Sequence, residues 1–268
     1  MKFNNREKHM LSRRNFIGSA AAAAGSISVL PQLAFANGHG MIFGNGAVKI
    51  IPIAHASLII ETPMGVIYAD PVGDLALYEG MPAADLVMVT HQHGDHLNND
   101  TLAGVMGENT TLISNKGAQE QMTEELAARA EVIGNAETTA FGDIGIEAIA
   151  AYNTTEDRMK YHPKGRDNGY VLNIGGTRVY LSSDTEDIPE MRALQNIDVA
   201  LLCMNLPFTM DINAAASAVA EFKPSVVIPY HYRGSDGGTQ DPKEFAKLLD
   251  SAIKVDQGDW YGTGAGNA

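Results

Sequence analysis

The chain has one cysteine, Cys203, so it cannot form a disulfide within itself. Cys203 sits in the apolar run Val199-Ala200-Leu201-Leu202-Cys203-Met204 with no base beside it, and reads as a buried small hydrophobe rather than a reactive thiol. The single tryptophan, Trp260, and its neighbour Tyr261 read as core or tail anchors. Positive charge is scarce. The chain carries 19 Lys/Arg against 32 Asp/Glu, a formal charge of -13, and five of those cations fall in the first 36 residues beside one acid. A surface this acidic repels phosphate backbones, which excludes bulk nucleic acid as a partner but not an anionic small molecule. After residue 36 no apolar run approaches the ~20 residues of a membrane span. No internal period is visible, which disfavours a solenoid or propeller.

What is present is a 268-residue chain with 45% apolar residues, enough for one large domain with a real core. Its start reads as an address. Arg13-Arg14 precede a mildly apolar stretch, Phe16 to Leu33, and Ala34-Phe35-Ala36 has the small-x-small form of a cleavage site. This pattern resembles a twin-arginine signal peptide over residues 1–36. It implies an exported, periplasmic-type mature chain over residues 37–268, with no membrane attachment after cleavage.

The mature chain opens with tandem β-like runs at Val48–Ala54, Ser57–Glu61 and Val66–Ala69, and a buried strand at Asp85–Val89. A helix near Asn99–Met106, a strand at Thr111–Ser114 and a helix over Ala118–Ala130 follow. Strands are expected at Ile144–Ala151, Gly169–Ile174, Thr177–Leu181, Val199–Cys203 and Val226–Tyr230. Helices are expected at Ala214–Phe222 and Pro242–Ile253. Such an order fits a layered α/β domain. The polar segment Tyr152–Asn168 reads as a loop on the active side, and the glycine-rich tail from Gly258 to Ala268 as frayed.

The decisive string is Thr90-His91-Gln92-His93-Gly94-Asp95-His96-Leu97. Three histidines and a carboxylate past a strand end are poorly explained by packing, and imidazole with carboxylate suits zinc, manganese or iron. Gly94 is expected to let the backbone turn, so that residues on both sides of it meet at one centre. Asp184 and His231 also stand at the ends of β-like runs, Val179–Leu181 and Val226–Tyr230.

His91-Gln92-His93-Gly94-Asp95-His96 resembles the His-x-His-x-Asp-His signature of the metallo-β-lactamase superfamily. Ser183-Asp184-Thr185 resembles its Gly-Asp-Thr element with serine for glycine, and Pro229-Tyr230-His231-Tyr232 the segment carrying its last histidine. His55-Ala56-Ser57 and Tyr68-Ala69-Asp70-Pro71 are similar to the opening strands of its ascorbate-6-phosphate lactonase-like branch. The resemblance implies a four-layer αββα sandwich with one or two divalent metals, Zn or Mn first and Fe as an alternative. His91 and His93 would serve one metal, Asp95, His96 and His231 the other, and Asp184 would bridge them. It implies a hydrolase that uses metal-bound hydroxide on a small ester, lactone or phosphodiester. Asp95 would orient the nucleophile or take its proton, and Asp184 would protonate the leaving group or hold metal.

One ligand of the superfamily pattern is missing, because the relevant strand end reads Ala150-Ala151-Tyr152-Asn153. Either the Asn153 amide oxygen or His162, in Tyr161-His162-Pro163-Lys164-Gly165, would complete the first metal site. Arg158, Lys160, Lys164 and Arg166 in the same loop form a basic group that could receive an anionic substrate. His55 reads as a partner behind the ligands or as a core histidine. The competing readings are a degenerate member that binds metal or ligand without turnover, and a di-iron redox member. The second is disfavoured because the chain has no room for a flavin module.

Overall fold

A computed structural model describes residues 40–234 and 239–261. The twin-arginine-type segment and its cleavage site lie outside the described residues, as does the end of the tail from residue 262.

Seven strands form each of two sheets, and in each sheet the spatial order is the chain order. The first holds β1 (Met41–Phe43), β2 (Val48–Ala54), β3 (Ser57–Thr62), β4 (Gly65–Ala69), β5 (Ala84–Met88), β6 (Met106–Ser114) and β7 (Ala130–Val132). The second holds β8 (Thr138–Phe141), β9 (Ile144–Ala151), β10 (Asp167–Ile174), β11 (Thr177–Leu181), β12 (Val199–Cys203), β13 (Val226–Tyr230) and β14 (Lys254–Val255). Three antiparallel pairings lead each sheet and three parallel pairings close it, from β4 to β7 and from β11 to β14. The two halves therefore share a topology that no repeat in the sequence betrays. Hairpin turns suffice for the antiparallel part, whereas parallel neighbours need crossovers. The crossovers carry helices α1 (Asn99–Val105), α2 (Lys116–Gln119), α3 (Glu124–Arg129), α4 (Pro189–Arg192), α5 (Ile212–Phe222) and α6 (Pro242–Lys247).

Strand alternation builds the layers. Ile50, Leu58, Ile60, Ile67, Leu86 and Met88 join the core shared with the second sheet. Their neighbours Ile51, Ile59, Tyr68 and Val87 pack instead with Leu102, Ala118 and Leu126 of α1, α2 and α3. On the far side, Met191, Ala218, Val219, Phe222 and Phe245 of α4, α5 and α6 cover the second sheet. The result is the expected αββα order.

Several expectations need correction. The helix over Ala118–Ala130 is two helices, because Thr123 leaves helical geometry and caps the second with its hydroxyl on Leu126 N. Ala118, Met122 and Leu126 still face one core, so the spacing marked burial rather than one continuous helix. α6 stops at Lys247, and Asp250 starts a turn by accepting from Ala252 N. The tail is not frayed at its start: Trp260 is buried against Tyr230, with ring centroids 5.6 Å apart.

Candidate metal centre

The chemistry-bearing side chains gather where strands of both sheets end. His91, His93, Asp95 and His96 follow β5, Asp184 follows β11, and His231 follows β13 directly. Gly94 stands in the turn expected of it, with His96 N and Leu97 N both donating to the His93 carbonyl, although its own backbone is not left-handed. The left-handed positions are non-glycine residues at neighbouring strand ends: His55 (φ 51), Asp70 (φ 46), Ser183 (φ 58) and His231 (φ 48). Each costs about 1–2 kcal/mol of backbone energy, offset by the surrounding packing. Gly169 on β10 lets that strand pass close to the Ser182 carbonyl, which a Cβ would meet at 2.7 Å.

Three groups of side chains bring ligand atoms within 4.8 Å of one another and could hold a metal ion: His91/His93/His162, His91/His96/Asp184 and His55/Asp95/His231. The Asp184 carboxylate is divided between them. Its Oδ2 lies 3.4 Å from His162 Nε2, and its Oδ1 lies 3.5 Å from His96 Nε2 and 3.6 Å from His231 Nε2. Asp95 Oδ2 stands 3.3 Å from His231 Nε2. Asp184 Oδ1 and His96 Nε2 are buried and have no hydrogen-bond partner. Separations of 3.3–3.6 Å are long for charge-assisted hydrogen bonds, but they match the edges of a tetrahedron of bonds about 2.0–2.1 Å long. The donor set fits a divalent metal.

The imidazoles are held from behind. His96 Nδ1 donates to Asp70 Oδ2 at 2.7 Å, and His162 Nδ1 to Asp167 Oδ2 at 3.0 Å. His91 Nδ1 faces the Thr90 hydroxyl at 3.1 Å and the Ser183 hydroxyl at 3.4 Å. His231 Nδ1 lies 2.7 Å from the Asn205 amide, and turning that amide sets its unpartnered oxygen against an Nδ1–H. In each case the Nδ1 tether leaves Nε2 free to point inward, the usual dress of a metal-ligating histidine. His93 reverses the pattern: its Nδ1 faces His91 Nε2 at 3.1 Å, while Arg166 lies near its Nε2.

Burial lowers His91 well below the ordinary imidazole range, helped by the charge of His96. Burial also lowers His93, with His162 next in effect. For Asp95 and Asp184 burial works upward but is overcome, and both are held well below the ordinary carboxylate range. His96 and His231 act first on Asp95, and His231 and His96 on Asp184. His96 is opposed by its own burial yet raised well above its ordinary value by Asp184, Asp70 and Asp95.

His162, on the far loop, is brought into the cluster. Asn153 is fixed beside it: its amide nitrogen donates to the Arg158 and Phe208 carbonyls, and its amide oxygen is buried without a partner. The loop's cations are largely engaged. Arg158 pairs with Glu186 at 2.9 Å, Lys164 with Glu190 at 3.3 Å, and Arg166 with Asp167 and the Tyr161 carbonyl. Lys160 lies over the Tyr161 ring. Asp167 and Asn205 carried no sequence signal and Tyr261 read only as an anchor, because isolated polar residues become partners only once the fold sets them behind a ring.

Residues 49–231 match the family model described as a β-lactamase superfamily domain. A UPF0173 metal-dependent hydrolase from Pyrococcus furiosus is 32% identical over 225 residues, covering 78% of this chain and 95% of its own. One from Thermococcus kodakarensis is 30% identical, with the same shares covered. The crystal structure of a candidate metal-dependent hydrolase from Parabacteroides distasonis is 38% identical, covers 84% of this chain and 99% of its own, and superposes with a TM-score of 0.73. Igni18, a metallo hydrolase from Ignicoccus hospitalis, shares the fold at 24% identity and a TM-score of 0.64. The chain belongs to the metallo-β-lactamase superfamily and, within it, to the UPF0173 metal-dependent hydrolase family.

Proposed function

We propose that the protein is a dinuclear metal-dependent hydrolase acting on a small ester, lactone or phosphodiester. The observation that carries this reading is the division of the Asp184 carboxylate, one oxygen toward His162 and the other toward His96 and His231. His91, His93 and His162 would hold one metal and Asp95, His96 and His231 the other, with Asp184 shared. Divalent zinc, manganese or iron bound there lowers the pKa of coordinated water toward neutrality and polarises the bond under attack.

The chain's own residues divide the remaining work. Asp184 is buried, with both oxygens turned to imidazoles, so it holds the centre together rather than delivering a proton. Asp95 is the acid of the centre that reaches solvent, with its side chain 44% exposed, and as a carboxylate held in its charged form it orients the attacking water. A cleft of about 460 Å³ next to Gln92 is lined by Lys116, Lys164 and Arg166 against the single carboxylate Glu120, a positive balance, reduced by the ion pairs of these cations, that supports a substrate with an anionic end. His162 is favoured over Asn153 as the missing ligand because its tethered ring aims Nε2 at Asp184. The export signal read at Arg13-Arg14 and Ala34-Phe35-Ala36 supports a periplasmic place of action.

The test is metal content together with turnover on an ester, lactone and phosphodiester panel. Two metal equivalents and hydrolysis of one class, lost on chelation and in His96→Ala, are the expected result. Stoichiometric metal with no turnover across the panel would overturn the hydrolase reading in favour of a metal-binding member without activity.

A further inference from the structure

We propose that His55 is a side-chain ligand of the metal on the Asp95 and His231 side of the centre, positioned by Tyr261 from the C-terminal segment. The inference rests on the dinuclear reading above. His55 lies at the tip of the two-residue turn between β2 and β3, where its left-handed backbone would ordinarily favour glycine or asparagine. A histidine in that strained place calls for a compensating interaction.

The ring supplies one. His55 Nε2 lies 3.5 Å from Asp95 Oδ2, the same oxygen that stands 3.3 Å from His231 Nε2. The His55 and His231 ring centroids are 3.9 Å apart, and His231 N donates to the His55 carbonyl at 3.3 Å, so the two turns are locked together. The separations repeat those around Asp184 and fit the same short metal bonds.

His55 also shares the tether of the other imidazoles. Its Nδ1 is 2.7 Å from the Tyr261 hydroxyl, which accepts from Arg233 N at 3.3 Å. With one lone pair used by Arg233 N, the hydroxyl has a second that can accept an Nδ1–H from His55, the tautomer that leaves the Nε2 lone pair toward Asp95. Tyr261 is fixed in turn by Trp260, buried next to it in the chain, and by the Arg233 guanidinium over its ring at 4.1 Å. The segment that reads in sequence as a tail thus reaches the centre and sets the orientation of one ring.

The test is titration of the chelator-stripped, full-length protein with Zn²⁺ by calorimetry, and with Co²⁺ by visible absorption. The parent is expected to take two equivalents. His55→Ala should bind one equivalent as the parent does, which shows that it is folded, and the other about 10–100-fold more weakly, with an altered Co²⁺ band for that equivalent. Tyr261→Phe removes one hydroxyl and should weaken the same equivalent by a smaller factor. Parent-like affinity and band for both equivalents in His55→Ala would overturn the inference while leaving the dinuclear centre standing. If His55→Ala does not fold, parent-like binding by Tyr261→Phe overturns it instead. A parent that binds fewer than two equivalents overturns the dinuclear reading, and this inference with it.

Discussion

Asp70 and His96 form a buried pair in which His96 Nδ1 donates to Asp70 Oδ2 at 2.7 Å. Asp70 also accepts from Thr90 N and the Thr90 hydroxyl, both at 2.7 Å, so one carboxylate fixes both the entry of the histidine loop and the ring at its end. Its left-handed backbone turns the chain out of β4 to make this possible. Asp70→Asn keeps the shape but places an amide where a charged acceptor met an N–H. Metal affinity is expected to fall about 10–100-fold, as measured by competition with a chromogenic chelator, because the ring loses its orientation and basicity. Unchanged affinity would show that the loop alone places His96.

The ligands at strand ends were readable in sequence because each combines a strong local signal with a place the fold uses. His91, His93, Asp95 and His96 follow β5, Asp184 follows β11, and His231 follows β13. The strands β2, β9, β11, β12 and β13 coincide with their expected ranges, β12 because burial on both faces makes an uninterrupted apolar run and β9 because buried and half-buried residues alternate along it. The short edge strands β1, β7, β8 and β14 lack that pattern and went unseen, as did the four-residue α4. Asp167, Asn205 and Tyr261 act across 5, 26 and 206 residues of chain, and nothing local marks such pairings. The turn at Gly94 is where the sequence placed it, but the left-handed strain around the centre falls on His55, Asp70, Ser183 and His231, which no residue type announced.

His162 and Asn153 lie on one loop, and the backbone N–H of Asn153 donates to the His162 carbonyl at 2.8 Å. Their variants should nevertheless separate. His162→Ala removes an inward Nε2 and should cost one metal equivalent by elemental analysis. Asn153→Ala frees the Arg158 and Phe208 carbonyls from their shared donor, which should lower stability by about 1–3 kcal/mol in denaturant with metal content kept. The reverse pattern would make the buried Asn153 oxygen the ligand.

Glu186 anchors the same loop. It accepts from Thr154 N and the Thr154 hydroxyl at 2.7 Å, from Thr155 N at 2.8 Å, and from Arg158 at 2.9 Å. Burial alone would raise its carboxyl, but the hydrogen bonds from Thr154 and Thr155 prevail and lower it. Glu186→Ala strands two backbone N–H groups and should destabilise the protein by about 2–4 kcal/mol. Arg158→Ala removes a partly exposed partner and should cost less, about 1 kcal/mol. Urea titrations of the two variants decide the order, and equal losses would show that the ion pair rather than the backbone contacts carries the anchor.

The metal-free protein should lose stability on both sides of the ordinary imidazole pKa of 6.5, for different reasons on each side. His91, His93 and His55 are all lowered, chiefly by burial. Below 6.5 the unfolded chain takes up protons on these three while the folded protein does not, so stability falls as the pH drops through that range. His96 is raised by Asp184, Asp70 and Asp95 against its own burial. Its contribution is full below 6.5 and is lost as the pH rises toward its folded value, because the unfolded imidazole has then already released its proton. Melts of chelator-stripped protein between about pH 5 and 8 should therefore show an acid limb and an alkaline limb. His96→Gln should abolish the alkaline limb and leave the acid one. An alkaline limb that survives in His96→Gln would assign it to another group and remove His96 as the charged imidazole of the empty cluster.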